Sequence, residues 1–219
     1  MTSPEERIKE LVRSQAIDGA DAARLLEAVK PAGAGTVAGV RNPFERWSGE
    51  VTSLVGLGAS LIGVGTSQLG ARYDGALDLH FGARVPLAIG VLDQIVVWPL
   101  VALVFWLAAR SLHRHVRAID VLGVVGAARV PYALTGLLAS FFVPFVPADP
   151  TKGFNLALVA LSLVSLVGLG MHIFLLVGGF RTVSGARGGR LAGAFVVALA
   201  AAEVVTKFAL WSLRSLFFA

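Results

Sequence analysis

The stretch AIDVLGVVGAARVPYALTGLLASFFV, residues 118–143, carries only two charges, Asp120 near its start and Arg129 in its middle. A helix crossing a bilayer needs ~20 mostly apolar residues at a rise of ~1.5 Å each, and this run exceeds that length. Residues 51–69, 85–109, 155–180 and 191–213 form four further apolar runs between polar breaks. Composition agrees with five spans. Of the 219 residues 56% are hydrophobic and 15% charged, and the mean hydropathy is +0.76, well away from the balance of ordinary soluble domains. The sequence therefore predicts an all-α, polytopic membrane bundle of five transmembrane helices. A short cytoplasmic helical hairpin is expected to precede it.

The distribution of Lys and Arg sets the expected orientation. Arg7, Lys9, Arg13, Arg24, Lys30, Arg41 and Arg46 precede the first span; Arg110, Arg114 and Arg117 fall in the second connection and Arg181, Arg187 and Arg190 in the fourth. The opposite side holds only Arg72, Arg84, Lys152 and Arg214. The positive-inside rule then places the N-terminus in the cytoplasm and the C-terminus outside. The formal net charge of +5 follows this topology, so the expected partner is the lipid bilayer and not nucleic acid. Trp47, Trp106 and Trp211 fall near the expected interfaces, where amphipathic rings settle. The first fifty residues are too polar for a signal-peptide core, so no cleavable signal is expected and the first span serves as the insertion signal.

Three segments follow: a hairpin over 1–30, a Gly/Ala linker over 31–41 and the membrane domain over 42–219. Ser3-Pro4-Glu5-Glu6 reads as a capping box. Ile8, Leu11 and Val12 share one face of the helix that follows; Asp18 caps a second helix whose Ala22, Leu25, Leu26 and Val29 fall on one stripe. Two such helices bury little alone, which points to a second copy or a protein partner bound through residues 1–30. The pattern also fits a solvated amphipathic pair with no partner.

Catalytic chemistry has little to stand on. The chain contains no Cys, which excludes disulfides, thiolate metal sites and Cys nucleophiles. No nucleotide-binding, metalloprotease or nucleophile-elbow motif stands in a fitting context. No enzyme, cofactor or metal is therefore expected. His113 and His115, two apart on a helix, face different ways and read as part of an Arg-rich interfacial loop. The loop RYDGALDLHFGAR offers Asp74, Asp78 and His80, spaced to assemble a cation site; a polar surface turn is the simpler reading. His172, inside the fourth span, reads as a packed hydrogen-bonding residue.

Charges inside spans are different, since each costs ~2.5 to 3.5 kcal/mol at the bilayer centre on insertion scales and so needs a partner or water. Counted along their helices, Arg129 and Glu203 lie ~16 and ~18 Å from the inner face and Asp93 ~12 Å from the outer, all near the midplane of a ~30 Å core. The expectation is a polar centre in which Arg129 is shared by Asp93 and Glu203, with Gln94 beside it. Glu203 and Lys207, four apart, alternatively pair with each other. The centre is either an ionic staple fixing helix register or a proton or ion relay. Gly126, Ala133 and Gly136 place Arg129 on a small-residue packing stripe, and Pro131, which cannot donate to the Ala127 carbonyl, predicts a kink beside it. Gly56, Ser60, Gly63 and Gly65 make a similar stripe on the first span, for close packing or for a mobile cavity wall.

Two family resemblances add expectations. RNPFERWSG before the first span, the five-span order and AIDVLGVVGAARVPYALTG resemble the Yip family of Ypt/Rab-interacting integral membrane proteins, in its bacterial branch, over residues 41–213. Asn42, Pro43, Asp120, Gly126, Arg129, Pro131 and Tyr132 are the matching fold markers. In eukaryotes the family implies binding of Rab GTPases through cytoplasmic parts and the shaping or sorting of membrane; for a bacterial chain the resemblance implies membrane organisation or partner recruitment in the inner membrane. ERIKELVRSQAIDGADAARLLEAVK resembles the short SHOCT hairpin, which implies oligomerisation. The alternative function is a small channel or transporter using the Asp93, Arg129 and Glu203 centre.

Overall fold

The computed structural model describes residues 4–14, 16–29, 43–146 and 155–217. The chain forms two compact units, residues 1–41 and 42–219. In the first, helices α1 (Pro4–Arg13) and α2 (Gly19–Val29) pack on each other, with Ile8 and Ala22 buried. The Asp18 carboxylate accepts from the Asp21 backbone N–H at 2.7 Å, the expected cap of α2. Leu11, Val12 and Leu25 stay exposed. The expected cap at Ser3, the linker over 31–41 and Asn42 lie outside the described residues.

Among its described residues the second unit is all-α apart from one short hairpin. Its helices are α3 (Gly49–Ser67), α4 (Leu87–Leu112), α5 (Ala118–Ala128), α6 (Val130–Phe142), α7 (Leu156–Ser184) and α8 (Gly188–Phe217), with strands β1 (Ala71–Arg72) and β2 (His80–Phe81) between α3 and α4. Among the described residues, five stretches are long and apolar enough to cross a membrane, α5 and α6 together forming the third, Ala118–Ser140. The chain is a multi-pass membrane protein on that basis. Its helices start on local signals. The Ser48 side chain accepts from Val51 N–H to cap α3, and Asn155 accepts from Leu158 N–H at 2.9 Å to cap α7. Gly185, in the left-handed conformation at φ +65°, ends α7 and turns the chain toward α8.

The third span is central. In its most apolar window 72% of residues are buried within the protein, against 39% or less in the other four. It breaks at Arg129: Arg129 N–H turns back to the Gly126 carbonyl at 3.0 Å, three residues away, and Pro131 sits in the first turn of α6. This is the interruption that Pro131 predicts, since its ring nitrogen has no proton to continue the ladder. The outward faces carry Leu54, Leu61, Leu134, Leu138, Phe174, Val197 and Phe208, all exposed, as a lipid-facing surface requires.

Small residues set the closest helix approach. A Cβ built on Gly126 would lie 2.8 Å from the Gly56 Cα, and the Trp98 ring closes over both glycines while its indole N–H donates to the Leu122 carbonyl at 3.0 Å. Gly63 and Ser60 are buried on the same helix, and Gly136 is buried on α6. Gly65, expected on this stripe, instead faces open space, because it lies two residues from Gly63 and so off the buried face. Substitutions should divide accordingly. Gly126→Ala is expected to cost about 1 to 3 kcal/mol through overpacking, whereas Gly65→Ala should be neutral or stabilise by up to about 1 kcal/mol. Thermal unfolding in detergent distinguishes the two.

Candidate functional site

The site is built around the α3–α4 connection, which folds into the bundle. Gly70, at φ +90°, turns the chain out of α3, and the two-residue strands pair antiparallel with Ala71 opposite Phe81 and Arg72 opposite His80. Between them Tyr73, Asp74, Gly75 and Ala76 are buried. The expectation of a polar surface turn for RYDGALDLHFGAR is corrected here. Tyr73 is the wedge: Gly63 on α3 and Gly136 on α6 leave the space its ring fills, and any side chain at Gly63 would strike that ring. Burial pushes its phenol above the ordinary tyrosine pKa, so the ring packs as a neutral group.

Backbone inserted among apolar helices must have its polar groups satisfied by the protein. Side chains from three helices do this. Tyr132 on α6 donates to the Leu77 carbonyl at 3.1 Å, Glu203 on α8 accepts from Leu77 N–H at 2.9 Å, and Gln94 on α4 donates to the Tyr73 carbonyl at 3.4 Å. Gly75 lies so close to Glu203 that a Cβ there would be 2.7 Å from the carboxylate.

The loop also carries charge inward. Asp93, with no exposed side-chain surface, accepts from Arg72 and from Arg214, each at 2.6 Å. Asp74 meets Arg72 at 2.9 Å, Lys207 at 2.8 Å and Arg214 at 3.1 Å. Asp78 also pairs with Lys207, and the His80 Nε2 stands 3.0 Å from both loop aspartates. Arg72, Arg129, Lys207 and Arg214 balance Asp74, Asp78, Asp93 and Glu203, so the layer is neutral without His80.

Arg129 is placed differently from expectation. It is buried, donates to the Gln94 Oε1 at 2.8 Å and lies 5.7 Å above the Tyr73 ring. Among the described residues no carboxylate stands within ion-pairing distance of it. The expected sharing of Arg129 by Asp93 and Glu203 is not formed, because the inserted loop delivers Arg72 to Asp93 and its own Leu77 N–H to Glu203. The i, i+4 pairing of Glu203 with Lys207 is not formed either: Lys207 reaches the loop aspartates. Asp93, Gln94, Glu203 and Lys207 thus gather around one loop. Sequence reasoning missed Arg72, Tyr73 and Arg214 as its members; the one available signal was the density of charge in a loop of only eighteen residues, Leu69–Pro86.

Asp74, Asp78 and His80 offer ligand atoms within 4.8 Å of one another. The Lys207 ammonium already occupies that position, held by both aspartates. His113 and His115 lie edge to face at 6.0 Å and are exposed, beside a cavity of about 350 Å³ at the opposite end of the bundle. There Arg117 pairs with Glu50, which raises the guanidinium pKa further.

The polar layer stops at the broken span. His172 on α7 is buried, donates from Nδ1 to the Ala128 carbonyl at 2.7 Å and stacks on Tyr132 at 4.3 Å. It is the packed, hydrogen-bonding histidine that its sequence context suggests. Beyond it, toward the Arg117 end, Phe105 meets Phe180 at 5.4 Å and Phe195 at 5.7 Å, edge-on, among buried Val97, Val101, Val125 and Leu176. Compared with family models, curated proteins and solved structures, the chain finds no match.

Two expectations follow. Asp93→Asn leaves Arg72 and Arg214 with Asp74 as their one remaining shared carboxylate, and folding stability in detergent should fall by about 3 kcal/mol, the lower end for a broken buried pair because both arginines keep Asp74 and some solvent. In this Cys-free chain, Ala76→Cys should resist a membrane-impermeant maleimide until the protein is denatured, whereas Arg84→Cys should label at once; rapid labelling of both would place the loop outside the bundle.

Proposed function

We propose that the chain is an integral membrane protein of the Yip type, acting in membrane organisation or partner recruitment in a bacterial inner membrane, with the N-terminus cytoplasmic and the C-terminus outside. It has no catalytic role. One observation carries this reading: the intramembrane charges neutralise one another through the inserted loop, and an aromatic, apolar layer stands between them and the Arg117 end. Such a layer locks helices in register. A conduction path would need water or polar groups to continue through it.

Recruitment falls to residues 1–30, where Leu11, Val12 and Leu25 remain exposed. Affinity purification of the full chain and of a chain lacking residues 1–30 should give different partners or a different oligomer size. Identical partners and size in both would remove the recruiting role.

A small channel or transporter is the second reading, favoured by the ion pairs that hold the loop, since an incoming ion could exchange with Lys207 between Asp74 and Asp78. Liposomes carrying the wild type, Arg129→Leu or Glu203→Gln should show no ion or proton flux above protein-free vesicles. Wild-type flux that either substitution abolishes would replace the first reading with the second.

A further inference from the structure

At the break in the third span, Ala76, Val97, Val125, Arg129, Tyr132 and His172 line a small cavity of about 10 Å³. That volume matches the roughly one probe sphere that a single water needs. Two of the lining groups are polar and incompletely bonded. The Arg129 guanidinium has five N–H donors, of which one bonds the Gln94 oxygen, with the Tyr73 face beneath it. The His172 ring is fixed by chemistry: the Ala128 carbonyl can only accept, so Nδ1 carries the proton. In the neutral ring Nε2 is then an acceptor, and it is buried with no hydrogen-bond donor to serve it, the Ala76 carbonyl beside the ring being itself an acceptor. A buried acceptor left unsatisfied costs about 1 to 3 kcal/mol.

We propose that this cavity is a specific binding site for one water molecule, which accepts from Arg129 and donates to His172 Nε2. The chemistry selects the occupant. The ligand must be an acceptor toward the guanidinium and a donor toward Nε2, and it must fit the volume of one water. A halide would serve the arginine but would face the Nε2 lone pair. An apolar guest would leave both groups unsatisfied. The water joins α5 and α6, through Arg129, to α7, through His172, at the residue where the third span changes over and the Arg129 N–H turns back three residues to the Gly126 carbonyl. It also ends the polar layer, because the next buried residues on α4 and α7, Val101, Phe105, Leu176 and Phe180, are apolar.

The test uses the full chain in nanodiscs. The variant His80→Gln/His113→Gln/His115→Gln leaves His172 as the sole imidazole of the four. If that variant does not fold, His113→Gln/His115→Gln changes only exposed rings, and in the remaining pair the exposed His80 is told from the buried His172 by its broadening with a water-soluble paramagnetic agent. With ¹⁵N-labelled histidine, the expected spectrum shows Nδ1 protonated, Nε2 unprotonated and a cross-peak from the ring to a slowly exchanging water. Val125→Ile, which fills the cavity, should remove the cross-peak and leave the tautomer unchanged. A proton on Nε2, the absence of a water cross-peak, or a cross-peak that survives Val125→Ile would overturn the proposal. So would a His172 shift that depends on chloride when gluconate replaces it at constant ionic strength, since an anion would then be the occupant. Exchange of the water at the rate of bulk solvent would also overturn it, by making the cavity part of a continuous aqueous path.

Discussion

Peptide groups placed among apolar side chains must find hydrogen-bond partners within the protein, and the α3–α4 connection meets this constraint with side chains drawn from α4, α6 and α8. Most of the arrangement around it follows. Tyr73 enters because Gly63 and Gly136 leave room, and the glycines are tolerated in their helices because the ring fills the space. The loop then brings Arg72, Asp74 and Asp78 to the level of Asp93, Glu203, Lys207 and Arg214. Each charge would be costly alone, and together they cancel.

The membrane unit is consequently divided along its length. At the loop end, polar and charged groups from α4, α6, α8 and the inserted connection form one neutral layer. At the other end, phenylalanines and valines pack against the first half of the third span. The break at Arg129 falls between the two. Its guanidinium is served by an amide and an aromatic face, with no carboxylate, while His172 takes up a carbonyl beside the interrupted turn. A buried arginine of this kind is stabilised by polar groups already ordered by other contacts, so its position depends on the loop being in place.

Some of this was legible in the sequence for physical reasons. The five spans are a matter of local hydropathy, which no distant residue alters. Pro131 removes its own backbone donor, so the interruption at Arg129 follows from two adjacent residues. Gly56, Gly63, Gly126 and Gly136 fall at helical spacing, and their burial follows from that periodicity, while Gly65 fails because it lies off the same face. Among the polar residues, depth along a helix put Asp93, Arg129 and Glu203 near one level, with Gln94 next to Asp93 and Lys207 four residues from Glu203. It did not identify their partners. RYDGALDLHFGAR has the composition of a solvated turn, and its burial depends on glycines one helix before and several helices after it.

The sequence by itself determined the number of apolar helices, their approximate limits, the small-residue faces and the site of the break, because each rests on interactions within a few residues along the chain. Only the tertiary structure decided that Asp93 pairs with Arg72 and Arg214, that Lys207 turns to Asp74 and Asp78, and that Arg129 bonds Gln94. Ion pairing depends on distance in space, and a connection of eighteen residues, Leu69–Pro86, is long enough to deliver its charges to several helices. The space left between Gly63 and Gly136 for the Tyr73 ring selects one of those arrangements.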